Sequence, residues 1–195
     1  MILYLDSETT GLRPGQICQL SYIMQSKDKV YAKNYFFTVD NVEYSAYLVH
    51  GFSVDRLKVL SNQKRFEDYI EEIAKDLESA GVVVTHNTSF DFMFLRAEFE
   101  RCNHQLCIKE QFCSMKNSTA ICKLKGRREG YKYPKLSELM SHFGISDLDI
   151  KTTSKKLFCD EADYHDARFD TTAVYLATNY AIENEKEFTK LKEFL

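Results

Sequence analysis

The chain has 195 residues, of which 44% are hydrophobic and 28% charged, the composition of an ordinary soluble domain able to bury a sizeable core. Its formal charge of −3 and isoelectric point near 6.0 exclude an overall basic signature, although a carboxylate cluster built for metal would itself hold several negative charges, so the distribution outweighs the total. No apolar run nears the ~20 residues of a bilayer span, and Met1–Leu5 lacks the basic flank and longer apolar core of a signal peptide, so a cytoplasmic protein with no membrane partner is expected.

Residues 2–6 read as a buried strand, after which Gly11, Pro14 and Gly15 turn the chain. Ile17–Gln25 and Lys29–Val39, rich in aromatic and β-branched residues, predict two more strands and hence an antiparallel meander. The period then changes. Arg65–Ala80 places Phe66, Tyr69, Ile70, Ile73 and Leu77 at helical spacing, and Gly81 ends that helix. Val82-Val83-Val84 is a short apolar strand of the buried kind, followed by a helix through Phe92, Phe94, Leu95 and Phe99. Further helices are expected over Leu136–Phe143, closed by Gly144, and over about Ala167–Ile182, with a short amphipathic tail to Leu195. Strands followed by a strand flanked by helices predict an α/β domain on a mixed sheet. No internal repeat or low-complexity linker divides it.

The six cysteines, Cys18, Cys102, Cys107, Cys113, Cys122 and Cys159, are expected to be reduced in such a compartment. Cys102, His104 and Cys107 crowd together, but paired CxxC spacing is missing, which favours incidental thiols over a zinc site.

The acids are more informative. Asp6 and Glu8 close an apolar strand, and a period of two points both carboxylates to one face. Other acid-x-acid pairs exist, such as Asp147/Asp149; the apolar approach and the following Thr9-Thr10-Gly11 single out the first. Two carboxylates forced together repel unless a cation lies between them. Asp91 follows the apolar strand in His86-Asn87-Thr88-Ser89-Phe90-Asp91, where an acid in a helix's first turn also has a plain macrodipole reading. His165 and Asp170 are five residues apart, about 140° around a continuous helix. They can share a site if His165 precedes the helix and Asp170 lies in its first turns.

Taken in order, Asp6-x-Glu8, His86-Asn87-x-x-Phe90-Asp91 and His165-x-x-x-x-Asp170 resemble the three motifs of the DEDDh-type 3′→5′ exonucleases of the RNase H-like superfamily. The run Asp6-Ser7-Glu8-Thr9-Thr10-Gly11-Leu12 is similar to that of bacterial proofreading exonucleases of the DNA polymerase III epsilon type, and the family also includes RNase T. Val49-His50-Gly51-Phe52-Ser53 and Leu136-Ser137-Glu138-Leu139 before Gly144-Ile145 also resemble family segments. A tyrosine subtype would place tyrosine four residues before the last aspartate, where this chain has Asp166; Tyr164 lies six before it. Cys113-Ser114-Met115-Lys116 departs from an Asp-Thr pair common in relatives, which bears on local packing.

The resemblance implies a five-stranded mixed sheet, with the antiparallel meander extended by parallel strands and flanked by helices. It assigns residues 1–182 to the exonuclease domain and 183–195 to a helical tail packed on it. It implies that Asp6, Glu8, Asp91 and Asp170 hold two Mg²⁺ or Mn²⁺ ions, with Asp6 bridging, and that His165 takes a proton from the attacking water. All-oxygen donors suit such hard ions, two of which about 3.5–4 Å apart serve in-line displacement, and histidine as a residue type titrates near neutrality. It further implies a pocket for the terminal nucleotide lined by the Thr9 backbone and His50, with Leu12, Asn87 and Phe90 nearby; Phe90 also has a simple core reading. The implied partner is a single-stranded 3′ end of DNA or RNA, and the implied products are nucleoside 5′-monophosphates. A DNA polymerase partner, with the chain as its proofreading subunit, and a nucleic-acid-binding module with little catalysis are the alternatives.

Residues 123–135 hold Lys123, Lys125, Arg127, Arg128, Lys132 and Lys135 against Glu129, with Tyr131 and Tyr133 interleaved. Such a stretch suits the phosphates and bases of a single strand as well as it suits a plain solvated loop. Lys151, Lys155 and Lys156 form a weaker basic cluster before His165.

Overall fold

The computed structural model describes residues 1–127 and 129–195. Three strands come first: β1 (Ile2–Thr9), β2 (Ile17–Gln25) and β3 (Val30–Phe36). Two short helices follow, α1 (Tyr44–His50) and α2 (Val54–Leu60). A 3₁₀ turn at Phe66–Tyr69 leads into α3 (Ile70–Ser79), then come β4 (Val82–Thr85), α4 (Thr88–Arg101), β5 (Gln111–Cys113) and α5 (Ser114–Cys122). The chain continues through α6 (Leu136–Phe143), α7 (Asp147–Phe158) and α8 (Ala167–Asn184) to a 3₁₀ segment at Lys186–Phe194.

The sheet order is β3-β2-β1-β4-β5. The pairs β1–β2 and β2–β3 are antiparallel, whereas β1–β4 and β4–β5 are parallel. This is the mixed five-stranded sheet expected, with β1 running to Thr9 rather than stopping at Asp6, and β3 shorter at both ends than Lys29–Val39.

Parity along β1 sorts the core into layers. Leu3 and Leu5 pack with Ile73, Leu77, Phe94 and Phe99 of α3 and α4. Ile2 and Tyr4, with Val82 and Val84 of β4, pack on the other face with Val174 and Ile182 of α8 and with Phe188 and Leu191 of the last segment. The central strands β1 and β4 are therefore covered on both sides, which explains why Val82-Val83-Val84 is apolar without alternation. Truncating a fully buried leucine here, such as Leu5, would cost about 2–5 kcal/mol. A third cluster, with Leu139 and Met140 of α6, Ile150 of α7, and Phe169, Ala173 and Ala177 of α8, holds α6 and α7 against the outside of α8.

Helix ends follow local chemistry. Gly144 closes α6 at φ +68°, where glycine avoids the Cβ penalty. Ser146 opens α7 by accepting the Asp149 N–H at 3.2 Å while its own N–H donates to the Asp149 carboxylate at 2.9 Å, a capping box with aspartate at its third position.

Candidate active site

The layering of β1 delivers the acids. Asp6 and Glu8 share the parity of Ile2 and Tyr4, so they lie on the α8 side, and the β1–β2 register stays regular as far as Glu8. Asp170, in the first turn of α8, reaches them from that layer. Ser7 has the opposite parity and donates its hydroxyl to Asp91 Oδ1 at 3.0 Å, tying the first turn of α4 to the strand. Asp6, Glu8, Asp91, Asp170 and His165 all line one cleft of about 530 Å³.

The start of α8 is fixed by residues outside the three motifs. Asp166 caps the helix, accepting the Arg168 N–H at 3.0 Å and the Gln19 side-chain amide at 2.9 Å. Gln19 returns the contact by accepting the Ala167 N–H at 3.0 Å. The buried Arg168 guanidinium bridges Asp166 at 2.7 Å and Asp160 at 2.6 Å. Asp166 before an apolar run is a helix-start signal visible in the sequence; Gln19 gave none, because its role depends on a residue 148 positions away.

His165 stands just before this cap at φ +58°, a left-handed conformation uncommon for residues with a side chain. It is exposed. Its ring, Glu8 and Asp170 each offer a ligand atom, and these atoms lie within 4.8 Å of one another. The break in helical spacing between His165 and Asp170 is thus resolved as expected, with the histidine on the chain entering the helix.

Burial raises Asp6, Glu8, Asp91 and Asp170, and neighbouring carboxylates raise Asp6, Glu8 and Asp170 further. Asp6 and Glu8 are held well above the ordinary carboxylate range by burial first and by the Asp170 charge next. Burial pushes Asp91 up to about 7 against the opposing Ser7 hydrogen bond. Burial and then Asp166 push Asp170 up to about 7, against the His165 backbone amide. The cleft lining holds carboxylates, hydroxyls and histidine, and no cysteine among the described residues. Such a donor set fits a hard divalent cation, whose charge would relieve the crowding.

A second, apolar pocket of about 350 Å³ adjoins the cleft, lined by Thr9, Leu12, Val49, His50 and Phe90. Leu12 is 76% exposed at its rim. Phe90 borders both spaces and also rests on Phe94, with ring centroids 4.9 Å apart, so it is at once wall and core. His50 is buried and engaged by backbone: its Nε2 lies 3.2 Å from the Thr9 carbonyl and its Nδ1 accepts the Phe52 N–H at 3.0 Å. That pattern requires the proton on Nε2, and burial lowers its basicity. Asn87 lines the carboxylate cleft and not the apolar pocket.

His86 is not in the acid cluster's chemistry. Its ring joins Ser114 Oγ and the Pro134 carbonyl, each at 3.0 Å, and burial lowers its pKa to about 4. It anchors the end of the basic stretch, whose described part is a small hairpin closed by a Lys125–Tyr131 bridge. Lys132 pairs with Glu138, while Tyr131 and Tyr133 are exposed. Arg128 lies outside the described residues.

Residues 3–177 match the family model described as Exonuclease. Among solved structures, the chain is similar to the "nuclease domain of 3'hExo, a DEDDh family member, bound to rAMP", at 11% identity and a TM-score of 0.66, covering 95% of this chain and 93% of that one. No curated protein matches the chain significantly. The structural likeness bears on the fold, and the family match covers all four acids and His165: the chain belongs to the exonuclease family, and its motifs and fold are of the DEDDh type.

Proposed function

We propose that the chain is a metal-dependent 3′→5′ exonuclease acting on DNA or RNA ends and releasing nucleoside 5′-monophosphates. The observation that carries this reading is the convergence of Asp6, Glu8, Asp91, Asp170 and His165 on one cleft that opens beside an apolar pocket. The four acids would hold two Mg²⁺ or Mn²⁺ ions, which when bound neutralise developing charge on the phosphodiester and support in-line displacement. His165 accepts a proton from the water whose oxygen attacks phosphorus, while the bond from phosphorus to the 3′ oxygen of the penultimate nucleotide breaks. The terminal nucleoside rests in the apolar pocket between Leu12 and Phe90, surfaces that pack on a base without reading its hydrogen-bonding edge. His50 keeps the Thr9 backbone in place as the floor of that pocket. Asn87 sits on the cleft side, near the phosphate rather than the base. The similar structure bound to rAMP supports a nucleotide ligand for such a site.

Matched DNA and RNA oligonucleotides, single- and double-stranded and labelled at the 5′ end, test the reading. A ladder shortened one nucleotide at a time is expected, slowed by a 3′-phosphate, stopped by EDTA and restored by Mg²⁺ or Mn²⁺ but not by Ca²⁺. Immediate release of a labelled mononucleotide would reverse the direction, and full activity in EDTA would remove the metal from the reaction.

A further inference from the structure

The segment that carries His165 is held by one face of α7. Asp147, Lys151 and Lys155 recur every four residues and so line a single helix face. Each meets the following segment in reverse order. Asp147 accepts the Tyr164 hydroxyl at 2.5 Å, Lys151 pairs with Asp163 at 3.0 Å, and Lys155 pairs with Glu161 at 2.9 Å. The segment has no regular structure of its own. It is bounded by two left-handed residues, Cys159 and His165, each at φ +58°, a conformation that side chains hold only when their surroundings impose it. Beneath it α7 is firm, because Ile150 is buried against the α8 cluster.

We propose that Asp147, Lys151 and Lys155 are positioning residues for His165: this antiparallel ladder fixes where the imidazole stands relative to Glu8 and Asp170. The inference rests on the reading of His165 as the proton acceptor. The pairs are exposed and each holds little by itself. In register on one face they act together, as an electrostatic latch on a short strap. Their charges are satisfied by the strap's own acids, which sets them apart from cations that wait for a phosphate.

The test combines turnover with a measurement that needs none. Replacing Lys151 and Lys155 together by glutamate sets like charges across the ladder. The expected result is a kcat about three- to ten-fold lower, the scale of a small network of exposed pairs, with KM and the salt dependence of DNA binding unchanged. Amide hydrogen exchange of residues 160–165 should quicken in step. Lys155→Glu alone should show the smaller loss, and adding Glu161→Lys to it should restore both kcat and exchange protection. Lys156→Glu, the same charge change off this face, is the control and should leave both unaltered. Thermal melting establishes that the variants are folded, and Lys155→Gln serves if a reversal is not. Unchanged kcat and exchange, or a swap that rescues neither, overturns the proposal. A raised KM with constant kcat overturns it too, by making the lysines ligands of the substrate's phosphates. Should the wild-type protein cut no nucleic acid, the proposed function fails, while the exchange data still decide whether the ladder holds the strap.

Discussion

Asp91 shows how a single carboxylate acquires its character. It is 3% exposed, accepts a hydrogen bond from Ser7, and still ends at about 7 because burial outweighs that bond. The same holds for Asp170, and Asp6 and Glu8 are raised further by their neighbours. Acids whose folded-state pKa is raised bind more protons folded than unfolded between about pH 4 and 7, so stability falls as pH rises across that window. The metal-free protein is therefore expected to melt at a higher temperature at pH 5 than at pH 8, with Mg²⁺ raising the melting temperature chiefly at pH 8 and so narrowing the difference. Calorimetry over that range checks it, and a melting temperature rising steadily from pH 5 to 8 would contradict the crowded-acid picture. Asp6→Ala or Asp170→Ala should abolish turnover and raise the melting temperature of the metal-free protein, since like charges are removed. A variant retaining the wild-type rate would take that residue out of the site.

At the scale of elements, the base of the basic hairpin between α5 and α6 is pinned by His86, and Lys135 lines the cleft itself, which makes a contact between the hairpin and a bound strand testable. Lys125 and Arg127 are exposed, whereas Lys132 is engaged by Glu138. Replacing Lys125 and Arg127 with alanine should weaken binding and lower the log–log salt slope by roughly 0.7 for each single-strand phosphate that is no longer neutralised. Lys132→Ala should change it less. Titrations of a labelled oligonucleotide at several salt concentrations measure both, and an unchanged slope for the double variant would make the hairpin plain surface. The elements legible in the sequence were those with strong periods. β2 and α6 emerged with their observed limits, since Ile17–Gln25 is buried along its length and Leu136–Phe143 ends at a glycine. α7 was not legible as a helix because only Ile150 and Ser154 of its twelve residues are buried, too few for a period; its Ser146–Asp149 capping box was the signal available. β5 has three residues, below what alternation can reveal. α5 carries Ser114, Asn117, Ser118 and Thr119 among its nine residues, types that favour caps and turns over helix interiors.

In the whole molecule, the cleft lies where the parallel strands β1 and β4 end and helices from opposite faces of the sheet converge, the general place for ligands in such sheets. The four acids and His165 were singled out by the order and spacing of their motifs, which resemble the DEDDh pattern; strand parity and helix starts, being local, left each of them open to a plain structural reading. What held them there was not local. Gln19 reaches Asp166 across 147 positions of chain, and the α7 ladder pairs residues 6 to 17 positions apart across a reversal of the backbone, contacts that no motif spacing encodes. This division makes His165 the most informative single position. It is exposed, stands outside the helix that fixes Asp170, and adds no charge to the acid cluster when neutral. Its removal should therefore spare both the fold and the carboxylates. His165→Ala is expected to lower kcat by about 10²–10⁴, the usual contribution of a general base, with little change in metal affinity or in binding of a 3′ end. His86→Ala and His50→Ala differ in kind. The first frees the Pro134 carbonyl and loosens the basic hairpin; the second frees the Thr9 carbonyl and should raise KM more than it lowers kcat. Single-turnover rates at saturating metal, beside equilibrium binding of the same oligonucleotide, separate these outcomes. If His165→Ala weakened metal binding as severely as Asp170→Ala, the imidazole, grouped within 4.8 Å of Glu8 and Asp170, would be a ligand and not the proton acceptor.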